Sequence, residues 1–354
     1  MKSPNESRYV PKHAKKKSLL DKGWKRAVFG AVAVLLCVAL ISSATFGVLW
    51  MVGRQSLLSG TGATQVPSMP DVEIDEDGST VRYKGNTYTY NKNLTSALFI
   101  GTDRKDESDF GGVSGQNGQA DALYLAVIDT SNGKTTVIAI SRDIMTDVRL
   151  YSVTGEYVGV KKMQVCLSFA YGDGKEKSCE STVQTVSNLL YGIDINTYFC
   201  MDWENIATLN NIVGGVEVPE YDANWNPTGK QVTLKGDAVL DYILLRDKTD
   251  LNSSTNRLER QVNYLKAFSE KTIERTKKDI SVPLNLYNAL SKSSINTLDA
   301  SKITYLTTVF MDGGAQLEFR TLTGKMVQGE EFAEMYLDDT KTYEMLLDVF
   351  YIKQ

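Results

Sequence analysis

Hydrophobic positions along this chain group into runs of two lengths. The longest, residues 27–53 from Ala27 to Gly53, holds no charged side chain and exceeds the ~20 apolar residues that a helix needs to cross a bilayer. It predicts one transmembrane helix, being too long for the apolar core of a cleaved signal peptide. After it the runs shrink to strand length. Leu98-Phe99-Ile100-Gly101-Thr102-Asp103-Arg104, Ala120-Asp121-Ala122-Leu123-Tyr124-Leu125-Ala126-Val127-Ile128-Asp129 and Val137-Ile138-Ala139-Ile140-Ser141-Arg142-Asp143 are apolar without clean alternation and carry charge at one end. Strands buried on both faces have that pattern, so the three predict central strands of an α/β sheet.

Alternation returns between Val81 and Tyr90 around Gly85-Asn86, the mark of a hairpin. Helical spacing follows over 164–171, 181–190, 203–212 and 236–245, and from Asn256 to about Arg275, with strands at 197–201 and after Gly214-Gly215. Strands separated by helices of about ten residues predict a layered α/β domain. Helical pieces at 284–290, 301–310 and 340–351 and a strand at 316–321 read as the outer layer of the same domain.

Charge orients the chain. The tail 1–26 holds nine lysines and arginines against Glu6 and Asp21, so the formal net charge of -4 divides into +7 for the tail and -11 for the rest. The positive-inside rule then places the N-terminus in the cytoplasm and the domain outside the cell membrane. A basic tail beside anionic lipid explains itself without nucleic acid, and an acidic exported part confines any anion site to a local cluster. Ser, Gly, Pro and acidic residues between 54 and 79 read as a flexible stalk, leaving 80–354 as the folded domain. Cys166 and Cys179 lie in the exported part, where a local disulfide and a pair of buried thiols are both open. Cys200 reads as core.

The only histidine is His13, in the tail. Histidine-based triads, His-ligated zinc and an imidazole base are therefore excluded from the domain, and its chemistry rests on carboxylates, Arg, Lys, Tyr or a metal. Binding groups gather where strands of α/β sheets end, which makes Asp103, Asp121, Arg142 and Asp143 candidates. One Asp after a strand is more simply a turn cap; the set of four favours a site. Arg257, Arg260 and Gln261 share one face of the first turns of the helix from Asn256, and Arg246 arrives from the preceding element. Cations at a helix N-terminus are unfavourable unless an anion sits beside them, and forked guanidiniums with free amides suit a phosphate or pyrophosphate. Asp103 and Asp121 could hold a hard cation such as Mg²⁺.

These residues resemble the LytR-CpsA-Psr family. Its motifs appear here in order as Gly101-Thr102-Asp103, Ala120-Asp121-Ala122, Ser141-Arg142-Asp143, Lys162-Met163-Gln164, Leu244-Leu245-Arg246 and Arg257-Leu258-Glu259-Arg260-Gln261. The resemblance implies a layered α/β/α domain with a central mixed sheet, preceded by one transmembrane helix, in a Gram-positive bacterium. It implies transfer of a cell-wall glycopolymer, such as a teichoic acid or capsular polysaccharide, from a polyprenyl-pyrophosphate carrier to peptidoglycan. Mg²⁺ would sit on Asp103 and Asp121, pyrophosphate on Arg142, Arg246, Arg257, Arg260 and Gln261, and Asp143 would orient or deprotonate the attacking sugar hydroxyl. Gln119 and Leu244 stand where many members carry arginine, a loss that Arg104, Lys105 or Lys162 would have to replace. For the lipid tail the resemblance implies an apolar tunnel, for which Leu167, Phe169, Val186, Leu189, Leu190 and Ile206 are candidate lining and equally candidate core. A regulator that binds lipid-linked intermediates and a polyprenyl-pyrophosphate pyrophosphatase are the alternative functions.

Overall fold

The computed structural model describes residues 43, 45–67, 69–103, 115, 117–152, 154–246, 250, 252–279, 281–291, 294–313 and 316–354. Most of the predicted membrane span lies outside the described residues, and no helix among those described is long and apolar enough to cross a membrane. Two compact units divide the chain, 1–49 and 50–354. Of the first, residues 45–49 are helical.

The second unit opens with helical residues 50–57, and its first strands are β1 (Val72–Ile74), β2 (Thr80–Tyr83) and β3 (Asn86–Tyr90). The β2–β3 turn is Lys84-Gly85, one residue earlier than the sequence suggests, because a two-residue hairpin turn of this hand needs positive φ at both central positions and these two have it, at 49° and 75°. Then come β4 (Leu94–Thr102), β5 (Ala120–Asp129), β6 (Lys134–Ile140), β7 (Met145–Tyr151) and β8 (Tyr157–Gln164). Helices α1 (Leu167–Ala170) and α2 (Glu176–Leu189) lead to β9 (Thr197–Asp202), α3 (Glu204–Val213), β10 (Val216–Tyr221) and β11 (Pro227–Leu234). Helices α4 (Ala238–Leu244), α5 (Ser253–Lys278) and α6 (Val282–Ser291) precede β12 (Ser294–Asn296), α7 (Ala300–Gly313), β13 (Gln316–Thr321), β14 (Gly324–Gln328), β15 (Ala333–Leu337), α8 (Asp339–Phe350) and β16 (Tyr351–Lys353).

The central sheet has six strands in the order β12-β9-β4-β5-β6-β13. It is mixed: β4, β5 and β6 are antiparallel neighbours, while β9 runs parallel to β4 and β13 parallel to β6. Residue alternation along β5 and β6 separates two layers. Leu123, Leu125, Ile138 and Ile140 enter the main core with Cys179 and Val186 of α2 and Tyr343, Leu346 and Phe350 of α8. Tyr124 and Ala139 point the other way and meet Leu258 and Val262 of α5.

Residues 54–79 are anchored to the domain at several points. Leu57 is buried with Tyr305 and Val309 of α7, the Thr61 N–H donates to Asp194 at 2.8 Å, and the Ala63 N–H donates to the Tyr351 hydroxyl at 2.7 Å. Apolar and hydroxyl partners supplied by the far end of the chain hold a segment whose composition alone reads as loose. Residues 50–53, at the end of the predicted span, also belong to this unit: Trp50 donates to the Thr308 hydroxyl at 3.1 Å. Cys166, Cys179 and Cys200 are buried thiols and no disulfide joins them.

Candidate active site

Antiparallel pairing brings the site together. Thr102 ends β4 opposite Ala120 at the start of β5, and Ile140 ends β6 opposite Leu123. Asp103, Asp121, Arg142 and Asp143 therefore gather at one end of the three inner strands, as their positions at strand ends predict.

Arg142 is the hub. Its Nη1 donates to Asp121 Oδ1 and its Nη2 to Gln119 Oε1, and its Nε lies 3.7 Å from Asp143 Oδ1. The Gln119 main-chain N–H in turn donates to Asp103 Oδ1 at 2.9 Å. Gln119, read from the sequence only as a lost arginine, is thus the link between Asp103 and Arg142. The Cys166 main chain ties the strand ends together, its N–H donating to the Arg142 carbonyl at 3.3 Å and its carbonyl accepting from Ala120 at 3.0 Å. Asp143 is 3% exposed, accepts from Gln164 at 3.2 Å and sits behind Arg142. Its buried place beside Arg142 fits a partner that orients that side chain.

Helix α5 approaches from the other layer. It has no acidic residue in its first turn and no side-chain cap, the condition under which a helix start welcomes an external anion. Arg257, 5% exposed, places Nη1 3.9 Å from Asp121 Oδ2, so arginines from two elements meet one carboxylate. Arg246 donates to the Ser254 hydroxyl at 2.7 Å. Gln261 donates to the Ile243 carbonyl at 3.0 Å and accepts from the Tyr124 hydroxyl at 3.0 Å, and Arg260 donates to carbonyls around the end of α4. Lys162 stands apart in its contacts: it is exposed on β8 opposite Asp147, with Nζ 5.7 Å from the Tyr336 ring. Arg104 and Lys105 lie outside the described residues. Ser254 is an addition that the sequence did not single out, and Gln119, Gln164 and Cys166, noted there for other reasons, take these places only through pairing and packing.

Electrostatics mark the cluster as incomplete. Burial pushes the Asp121 carboxyl up, with Asp103 adding to the shift, against the pull of Arg142 and Arg257. Burial likewise pulls the Arg257 guanidinium down despite Asp121. Burial works against Arg142 too, but Cys166, Asp121 and Asp143 outweigh it and raise that group. A desolvated carboxylate and a desolvated guanidinium, each short of compensation, are poised for outside charge. Asp103 lies close enough to act on Asp121, and a hard divalent cation prefers one or two carboxylates with phosphate and water as its other ligands. Among the described residues no group of three acidic, His or Cys side chains forms a metal cage.

The sheet face toward α5 is open beside this cluster. Phe99 on β4 is paired with Tyr124 and Phe199, and 41% of it is exposed although β4 is an interior strand. Of the candidate tunnel lining, Phe169, Val186 and Leu190 are solid core on the opposite face, with Leu189 against them, and Ile206 packs in a cluster of α3, α4 and β10.

A central mixed sheet with helices packed on it, and arginines and aspartates gathered at the ends of its inner strands, define the class of α/β domain seen here. The LytR_cpsA_psr family model matches residues 69–348, and the chain belongs to that family. A curated relative, the polyisoprenyl-teichoic acid–peptidoglycan teichoic acid transferase TagV of Bacillus subtilis, is 26% identical over 205 residues, 55% of this chain and 48% of TagV. The match thus spans about half the length of that relative. The crystal structure of TagV superposes with a TM-score of 0.53 at 19% identity, covering 73% of this chain and 96% of TagV's. Protein gbs0355 from Streptococcus agalactiae gives 0.56 at 20% identity, covering 72% and 88%. TagT bound to LI-WTA gives 0.54 at 17% identity, covering 73% and 90%.

Proposed function

We propose that this protein is a membrane-anchored transferase that moves a cell-wall glycopolymer from a polyprenyl-pyrophosphate carrier to peptidoglycan on the outer side of a Gram-positive cell membrane. The observation that carries the reading is the convergence of Arg142, just after β6, and Arg257, near the start of α5, on the buried Asp121. Family membership, the activity in TagV's name and the teichoic acid bound in TagT support it. Phe99, exposed on the face of the sheet that α5 covers, is an apolar surface that a lipid could meet.

An acceptor hydroxyl would attack the phosphorus that carries the polymer. The new P–O bond forms as the bond to the carrier's second phosphate breaks, and polyprenyl phosphate leaves. Arg142, Arg246 and Arg257 would hold the pyrophosphate and offset the charge that builds on the leaving oxygen, the main lever of an enzyme without a histidine base. Asp143 and Gln119 keep the Arg142 fork aimed. The acceptor's proton leaves to solvent at the exposed side of the group, where Asp103 lies. Mg²⁺ bound by Asp103 and Asp121 would supply positive charge to the same phosphates.

The test incubates the full chain with a polyprenyl-pyrophosphate-linked saccharide and a peptidoglycan fragment, with Mg²⁺ or with EDTA, and reads products by mass spectrometry. Metal-dependent formation of a glycan-linked fragment supports the transferase. Release of saccharide phosphate to water alone means a pyrophosphatase, and binding without product means a regulator; either rejects the proposal.

A further inference from the structure

Arg260 has the sequence position of a phosphate ligand and the surroundings of a brace. It is 1% exposed. Its Nε donates to the Tyr242 carbonyl at 2.9 Å, its Nη1 to the Asn256 carbonyl at 3.4 Å and its Nη2 to the Leu245 carbonyl. The guanidinium also stacks on Trp225, with Cζ 3.9 Å from the ring centroid, and lies 5.9 Å from that of Tyr221. Trp225 holds this place at φ 62°, a backbone conformation costly for a bulky residue. All three nitrogens thus have main-chain acceptors, and an aromatic ring covers a face of the group.

The carbonyls explain the arrangement. A helix leaves its last carbonyls without internal partners, and a cation nearby offsets their negative end. Helix α4 has no basic residue in its own last turn, and Arg260 supplies one from α5. The grip on Leu245 fixes the peptide immediately before Arg246, whose charge acts on Asp121. Arg257, one turn earlier on α5, is the arginine of that helix turned to the aspartate.

We infer that Arg260 is a positioning residue: it braces the end of α4 against the start of α5 so that Arg246 is delivered to the anion site, and it does not itself touch phosphate. The inference rests on the pyrophosphate reading of that site. A lysine keeps the charge but cannot fork to three carbonyls.

Two measurements on the full chain test it. In the first, Arg246→Ala, Arg260→Lys and the double variant are titrated with farnesyl pyrophosphate. Each single change weakens binding, Arg260→Lys by about tenfold, and the double variant binds no worse than Arg246→Ala, because a residue that acts through Arg246 has nothing left to lose. Losses that multiply overturn the inference and make Arg260 a ligand. In the second, without any ligand, amide hydrogen exchange is followed in peptides carrying Leu244 to Arg246. Exchange speeds about tenfold in Arg260→Lys and less in Trp225→Leu, which leaves the guanidinium in place, and is unchanged in Arg257→Ala. Unchanged exchange in Arg260→Lys and Trp225→Leu rejects the brace. Failure of the wild-type chain to bind farnesyl pyrophosphate would reject the pyrophosphate reading, and exchange would still decide the brace.

Discussion

Asp121 carries a conflict between stability and function. Its pKa is raised from 3.8 by burial, so the folded state binds this proton more tightly than the unfolded chain does. A group raised in this way contributes its stability below its unfolded pKa and loses it as pH climbs through the folded value. Asp121→Asn, which mimics the protonated form, is therefore expected to unfold at higher urea than wild type at neutral pH, with the difference closing below about pH 4, and to lose transfer activity. Urea midpoints measured against pH check this; equal midpoints at pH 7 would argue that the arginines fully compensate the carboxylate. Arg257 makes the converse point. Burial lowers its pKa, so Arg257→Ala should leave the melting temperature nearly unchanged while turnover falls about a hundredfold, the usual effect of removing one charge-stabilising donor. Kinetics and calorimetry on one variant separate the two.

Between elements, the contacts of greatest consequence join distant parts of the chain. The Tyr351 hydroxyl at the end of α8 accepts from Ala63 at 2.7 Å and donates to the Gly78 carbonyl at 2.9 Å, stitching the segment after the predicted span to the sheet. Tyr351→Phe leaves the Ala63 N–H buried without a partner and is expected to cost about 1–3 kcal/mol, read as a lower urea midpoint and faster proteolysis within 58–67. At Gly53 a Cβ would stand 2.1 Å from the Ser301 carbonyl oxygen, so Gly53→Leu must push the helical stretch 50–57 off α7 and should give the same proteolytic signature. Neither contact is visible in local pattern, which is why 54–79 reads as a stalk.

For the whole molecule, the thiols report on packing. Cys166, Cys179 and Cys200 are 0% exposed, and burial raises the Cys166 thiol to about 12, so it is neither a thiolate nor accessible at neutral pH. All three should resist alkylation in the native chain and react once it is unfolded in denaturant without reductant; prompt labelling at Cys166, Cys179 or Cys200, read by peptide mapping so that Cys37 is scored apart, would contradict this core.

Much was written in local sequence. Central strands showed as apolar runs because burial on both faces leaves no polar alternation, and Asp103, Asp121, Arg142 and Asp143 showed as candidates because strand ends are where rigid scaffold meets solvent. The helical periods at 203–212, 236–245 and 256–275 match α3, α4 and α5 to within a few residues. The β7–β8 hairpin went unread, since Lys161 and Lys162 face solvent on a two-stranded arm with little apolar alternation. Tertiary structure decided the rest. Strand register made Gln119 the bridge between Asp103 and Arg142, put Asp143 behind Arg142 and turned Phe169 and Val186 into core. Three residues of helix put Arg257 and Arg260 on one face, yet what each meets depends on what packs there: a carboxylate for Arg257, the end of α4 for Arg260. Side-chain type and spacing are local properties and are legible in the chain; a partner is a long-range property, and only the fold supplies it.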